Sequence, residues 1–193
     1  MTPTQELANT VSMALPTAVL AWNAWACPGE HAFVLLVGSL VHLPVSFVYH
    51  VNVARNVYAD RLDNNMRRLD QSMQHVVGTL FSYALSGSVG YMALNLALNL
   101  YGLYRLWDKN TSNDGRRWIP VLFCVFLYTT PMLWRNDLCN YALAAGSMAF
   151  GGALFVPELN SRYFRGWGHS LFHVVLVVYA QALANSAGKL STH

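Results

Sequence analysis

Gly166-Trp-Gly-His-Ser-Leu-Phe-His173-Val-Val-Leu-Val-Val-Tyr-Ala180 opens the last apolar segment of the chain, and no charged residue follows it until Lys189. His169 and His173 are four residues apart, so on a helix they share one face at a spacing of about 6 Å. Imidazoles are expensive inside a bilayer and usually mark function there. The fold therefore depends on whether the segments around this one also read as membrane helices.

Composition says that they do. Of 193 residues, 54% are hydrophobic and 11% are charged, whereas soluble domains carry about 25% charged residues. A water-facing surface of ordinary size is missing. Apolar windows of about 20 residues fall at 6–26, 31–54, 69–87, 88–107, 117–134, 137–157 and 167–187. The expected fold is an all-α integral membrane protein, one seven-transmembrane-helix bundle over residues 1–193 with no second domain. The first span is the weakest, because Asn9, Pro16 and Asn23 interrupt it; six spans is the alternative count. Pro44 and Pro131 lie inside spans and are expected to kink them, which neighbouring helices tolerate. Ser86-Gly-Ser-Val-Gly90 is a turn between the third and fourth spans.

Seven spans put the amino terminus and three of the loops on one face. That face holds Arg55, Arg61, Arg67, Arg68, Arg105, Lys109, Arg116, Arg117, Arg162 and Arg165; the other holds Arg135 and Lys189. Cationic residues flank membrane helices on the cytoplasmic side. The amino terminus is therefore expected in the cytoplasm and the carboxyl terminus outside or in a lumen. The net charge of +3 suits anionic lipid headgroups, and no patch suits nucleic acid. Cys27, Cys124 and Cys139 are too few and too scattered for a disulfide framework. No basic region precedes the first apolar segment, so no cleavable signal peptide is expected.

This topology sets five polar residues at one depth. His50 ends the second span, with Ser46 one turn deeper on its face; Asp70 starts the third; His169 and His173 start the seventh. All five fall within two turns, roughly 11 Å, of the cytoplasmic boundary. Three imidazoles supply the three ligands of a catalytic zinc site, leaving the fourth position for water. Zinc lowers the pKa of that water toward about 7. Asp70 would hold the water and take its proton, and Ser46 would bond the water or an oxyanion. The expectation is Zn2+ on His50, His169 and His173, with Asp70 and Ser46 catalytic. Taken singly, each residue has a plainer reading. An intramembrane His bonds another helix, Ser46 back-bonds to its own helix, and Asp70 is a first-turn charge.

Other polar residues rank below these. His42 lies two turns before His50, roughly on its face, and has two readings, a lining position in the same cavity or a packed, hydrogen-bonded side chain. His75 is expected to bond a neighbouring helix, and Asn95, Asn99 and Asn140 to join helices. Gly146, Gly151 and Gly152 suggest close packing, and Tyr49, Tyr58, Trp118, Trp134, Tyr163 and Trp167 an interfacial belt.

Ser46-x-x-x-His50, then Asp70, then His169-x-x-x-His173 on seven spans resembles the CREST superfamily. That group joins alkaline ceramidases, progestin and adiponectin receptors with haemolysin III-like proteins, Per1-type lipid-remodelling proteins and TMEM8 proteins. The resemblance implies a seven-helix bundle with zinc on three histidines and an aspartate and serine beside the metal-bound water. The function it implies is zinc-dependent intramembrane hydrolysis of a lipid amide or ester, ceramidase-like or phospholipase-like, with a membrane lipid as substrate. The alternative is a receptor or membrane-sensing protein of the adiponectin receptor/haemolysin III type in which zinc is structural. A pore-like role is the third.

Overall fold

The computed structural model describes residues 2–60, 63–108, 118–155, 160 and 162–190. Arg61, Lys109, Arg116 and Arg117, which enter the charge count, lie outside them. Among the described residues the chain is helical, with no strand. The helices are α1 (Pro3–Ser12), α2 (Ala14–Ala26), α3 (Glu30–Ala54), α4 (Asn65–Ser86), α5 (Val89–Trp107), α6 (Trp118–Trp134), α7 (Leu138–Ala153) and α8 (Gly168–Gly188).

The helix ends follow local chemistry. A capping box starts α1: the Thr2 hydroxyl accepts from the Gln5 amide while the Gln5 side chain accepts from the Thr2 amide, and Pro3 follows at the first helical position. The Asn64 side chain caps α4 through the Arg67 amide at 2.8 Å, so that helix begins before the expected span at 69. Gly87, at φ +67°, closes α4 in the left-handed region that favours glycine. Ser88 then caps α5 through the Tyr91 amide.

Prolines decide where the long helices break. The expected first span is two helices, divided at Met13. Pro16 lacks an N–H to give the Ser12 carbonyl, and its ring crowds that carbonyl, which is where α1 stops. Pro44 is carried inside α3 and Pro131 inside α6. Pro131 frees the Leu127 carbonyl, and the Tyr91 hydroxyl of α5 donates to it at 2.5 Å.

Large apolar side chains are widespread on the surface, and many polar ones are buried. Trp22, Trp25, Phe33, Phe123, Phe126 and Phe150 are each more than half exposed, whereas Glu6, Asn9, Ser46, His50, Asp70, His75 and Asn99 are buried. So extensive an apolar surface is suited to lipid. Among the described residues α3 and α8 are long and apolar enough to cross a membrane, and Pro120–Trp134 is a shorter apolar helix. The apolar core joins Leu35, Phe81, Leu85, Tyr128, Met132 and Leu183 from α3, α4, α6 and α8.

Several sequence expectations are corrected in the packing. Asn140 does not join helices; its amide donates to Asp137 at its own helix start. The Asn95 amide likewise donates within its own helix. Asn99 does bridge: its Oδ1 meets His75 Nδ1 on α4 at 2.8 Å and accepts from Cys124 Sγ on α6. Of the three α7 glycines, Gly151 is pressed against Phe172, while Gly146 and Gly152 face open space. Tyr49 is buried, outside any interfacial belt, and Trp134 and Tyr163 are exposed.

Candidate functional site

The last turns of α3, the first turns of α4 and α8, and all of α1 meet at one end of the bundle. Their register brings the five sequence-predicted residues to that end. His50 and His173 are buried, as are Ser46 and Asp70, and His169 is half-buried. The His50 and His169 rings lie 4.9 Å apart, His169 and His173 4.7 Å, and His50 and His173 6.3 Å. The spacing of four in the sequence accounts for the second distance. The other two required α3 and α8 to pack.

Each member of the cluster has a second partner. Asp70 Oδ1 lies 3.0 Å from His42 Nε2, and the Ser46 hydroxyl also hydrogen-bonds Asp70. Asp70 is thus tied to α3 twice, through residues four apart on one face. His42 belongs to the site as a direct partner of the carboxylate.

Helix α1 supplies what the sequence did not reveal. Glu6 is buried, with Oε2 2.8 Å from His50 Nδ1. The Asn9 amide donates to the same oxygen at 3.2 Å, and the Ser170 hydroxyl donates to Asn9 Oδ1 at 2.6 Å. Ser12 Oγ lies 2.9 Å from His173 Nδ1. A signal for this face was present: Gln5, Glu6, Asn9 and Thr10 recur at helical spacing and are all buried, while Leu7 and Val11 point outward. An acidic residue in a first helical turn ordinarily reads as a solvated end charge.

Two carboxylate–imidazole pairs, Glu6–His50 and Asp70–His42, therefore flank the His169–His173 turn. Carboxylates beside imidazoles orient the rings and make them stronger bases. Next to this end, α4 begins with Arg67 and Arg68, and the Arg68 guanidinium donates to Asp63 at 2.7 Å. Nitrogen and oxygen donors of this kind suit a divalent ion by chemistry. Yet among the described residues no group of three or more His, Cys, Asp or Glu side chains is placed to hold one. His50, His169 and His173 are brought to one end of the bundle without being placed as such a group.

Comparison with curated proteins points to a different reaction class. The chain is 24% identical over 127 residues to protoheme IX farnesyltransferase 2 of Pseudomonas entomophila (strain L48). It matches the protein of the same name from Pseudomonas putida (strain GB-1) to the same extent. In each case 66% of this chain is aligned, with 41% of the relative. The chain thus spans about two fifths of the length of the curated relatives it matches. No family model matches the chain, and no solved structure matches it. The printed names describe transferases. They overturn the expectation of a zinc-dependent, ceramidase-like or phospholipase-like lipid hydrolase, and the receptor alternative with structural zinc falls with it.

Proposed function

We propose that the chain is a membrane-embedded enzyme of the transferase type, moving an isoprenoid group from its diphosphate to an acceptor. The observation that carries this reading is the buried end where Glu6–His50 and Asp70–His42 flank the His169–His173 turn. The names of the relatives, protoheme IX farnesyltransferase, supply the reaction class. In such a transfer the allylic C–O bond breaks, with both electrons leaving on the diphosphate. The acceptor's π electrons form the new C–C bond, and the acceptor then loses a proton. The site offers an imidazole base for that proton and arginines at the start of α4 for the anion. The isoprenoid tail matches the apolar surface that the helices present to lipid.

The bundle is proposed to cross the membrane seven times, α1 and α2 together forming the first crossing. The arginine-rich face, with the amino terminus, lies in the cytoplasm and the carboxyl terminus across the membrane. The meeting of Ser46, His50, Asp70, His169 and His173 also supports a CREST-type arrangement of helices, proposed for the architecture alone.

Purified protein in mixed micelles, given farnesyl diphosphate and protoheme IX, should release diphosphate and form a prenylated product detectable by mass spectrometry. Absence of diphosphate release with farnesyl and longer prenyl diphosphates, across haem and quinone-type acceptors, would overturn the reading.

A further inference from the structure

Helix α1 turns its polar face inward against α3 and α8. Its amino-terminal turn is fastened to the loop before α8, where Gln5 Nε2 donates to the Arg165 carbonyl at 2.7 Å. Gly166, at φ +88°, lets that contact close, because a Cβ there would meet the Gln5 amide at 2.8–3.2 Å. The helix is thus held at both partners of the site, and its hydrogen bonds to the two buried imidazoles have a shared direction.

That direction follows from which atoms can donate. Glu6 Oε2 receives the Asn9 amide as well as His50 Nδ1, an arrangement suited to an accepting carboxylate. His50 Nδ1 therefore carries a hydrogen. Ser12 Oγ lies 3.3 Å from the Asn9 backbone carbonyl, which can only accept, and 2.9 Å from His173 Nδ1; with its hydrogen on the carbonyl, its oxygen accepts from His173 Nδ1. In that arrangement His173 Nδ1 carries a hydrogen too. In a neutral imidazole the other nitrogen, Nε2, then holds the lone pair.

We propose that α1 is the positioning element of the site. Glu6 fixes His50, and Ser12 fixes His173, each with the proton on Nδ1 and the basic lone pair on Nε2. His42 is held the other way round, its Nε2 facing Asp70. The bundle thus assigns different nitrogens to different tasks. The catalytic consequence rests on the transferase reading above; the tautomers do not.

The test uses full-length protein labelled with 15N-histidine in micelles, in which long-range 1H–15N correlations report which ring nitrogen is protonated. Wild type should show His50 and His173 protonated on Nδ1. Glu6→Gln should shift His50 toward a tautomer mixture and leave His173 unchanged, and Glu6→Asp should restore much of the Nδ1–H form. Transfer activity of Glu6→Gln should fall between about 10-fold and 10⁴-fold, the scale seen when an orienting carboxylate is lost. KM for the prenyl diphosphate should stay near wild type. Protonation of His50 or His173 on Nε2 in wild type overturns the proposal without any variant having to fold. An unchanged His50 spectrum in folded Glu6→Gln overturns it as well. Tautomers that behave as stated in a protein without transferase activity would support the positioning role and remove the reaction assigned to it.

Discussion

Tyr91→Phe isolates one hydrogen bond whose need is created by a single proline. Pro131 cannot donate to the Leu127 carbonyl four residues back, and the Tyr91 hydroxyl donates to it instead at 2.5 Å. The substitution deletes the hydroxyl and keeps the ring, so the edge contact of Tyr91 with Trp134, at 5.3 Å between centroids, survives. An unpaired buried acceptor costs about 1–3 kcal/mol, whereas interhelical hydrogen bonds measured in membranes average about 0.6 and reach about 1.7 kcal/mol. We expect a loss of about 1 kcal/mol, since the membrane measurements match this setting more closely. In a chain of this size that is a drop of about 2–4 °C in Tm. Pro131→Ala provides the control, because its restored N–H can donate to Leu127 along the helix. In that background Tyr91→Phe should cost little, within the error of about 0.3–0.5 kcal/mol that additivity allows. The assay is reversible unfolding of all four proteins in mixed micelles, followed by circular dichroism. Equal losses in both backgrounds would refute the assignment of Tyr91 to the carbonyl that Pro131 orphans.

Other consequences are as specific. Gly102→Ala should lower stability by about 1–3 kcal/mol through overpacking, because its Cβ would stand 2.5 Å from His75 Cε1; Gly146→Ala, facing open space, should leave the melting temperature the same or higher. Burial alone would raise Asp137, but the Lys189 ammonium at 2.6 Å, with hydrogen bonds from Ser186 and Asn140, outweighs it and holds the carboxyl below the usual carboxylate range. A depressed carboxyl stabilises the fold above its unfolded pKa of about 3.9 and loses that contribution as pH falls through the folded value. The Tm gap between wild type and Asp137→Asn should therefore be full at pH 6 and shrink below about pH 4; a constant gap across the titration would exclude the pairing. Asp70→Asn and His42→Gln should each lower prenyl transfer by about 10–100-fold, and the double variant should lose no more than the worse single one, since the pair acts as a unit; multiplied losses in a kinetic double-mutant cycle would separate them.

The helices were legible because their signal is local and repeated. A run such as 31–54 has no charge between its ends, and only a helix satisfies every backbone group of such a run in lipid. Ser46 with His50, and His169 with His173, were legible for the same reason, since a spacing of four fixes a shared face. The break at Met13 was half visible in Pro16, but its position needed the Ser12 carbonyl. The role of Asn140 was misread because an asparagine in an apolar run has two outlets, its own helix start and a neighbour. Composition does not choose between them.

By itself the sequence determined an all-helical chain, the limits of most of its helices to within a few residues, and one end holding His50, Asp70, His169 and His173. Periodicity, capping residues and prolines act over a few positions and need no knowledge of what packs where. Only the tertiary structure decided that Glu6, 44 positions from His50, reaches its Nδ1 at 2.8 Å. It alone tied His42 to Asp70, and it placed the three imidazoles beside one another without gathering them into a metal-holding group. Those outcomes depend on how α1 folds back onto α3 and α8, a balance of buried polar pairs against lipid-facing apolar surface that no short stretch of sequence contains.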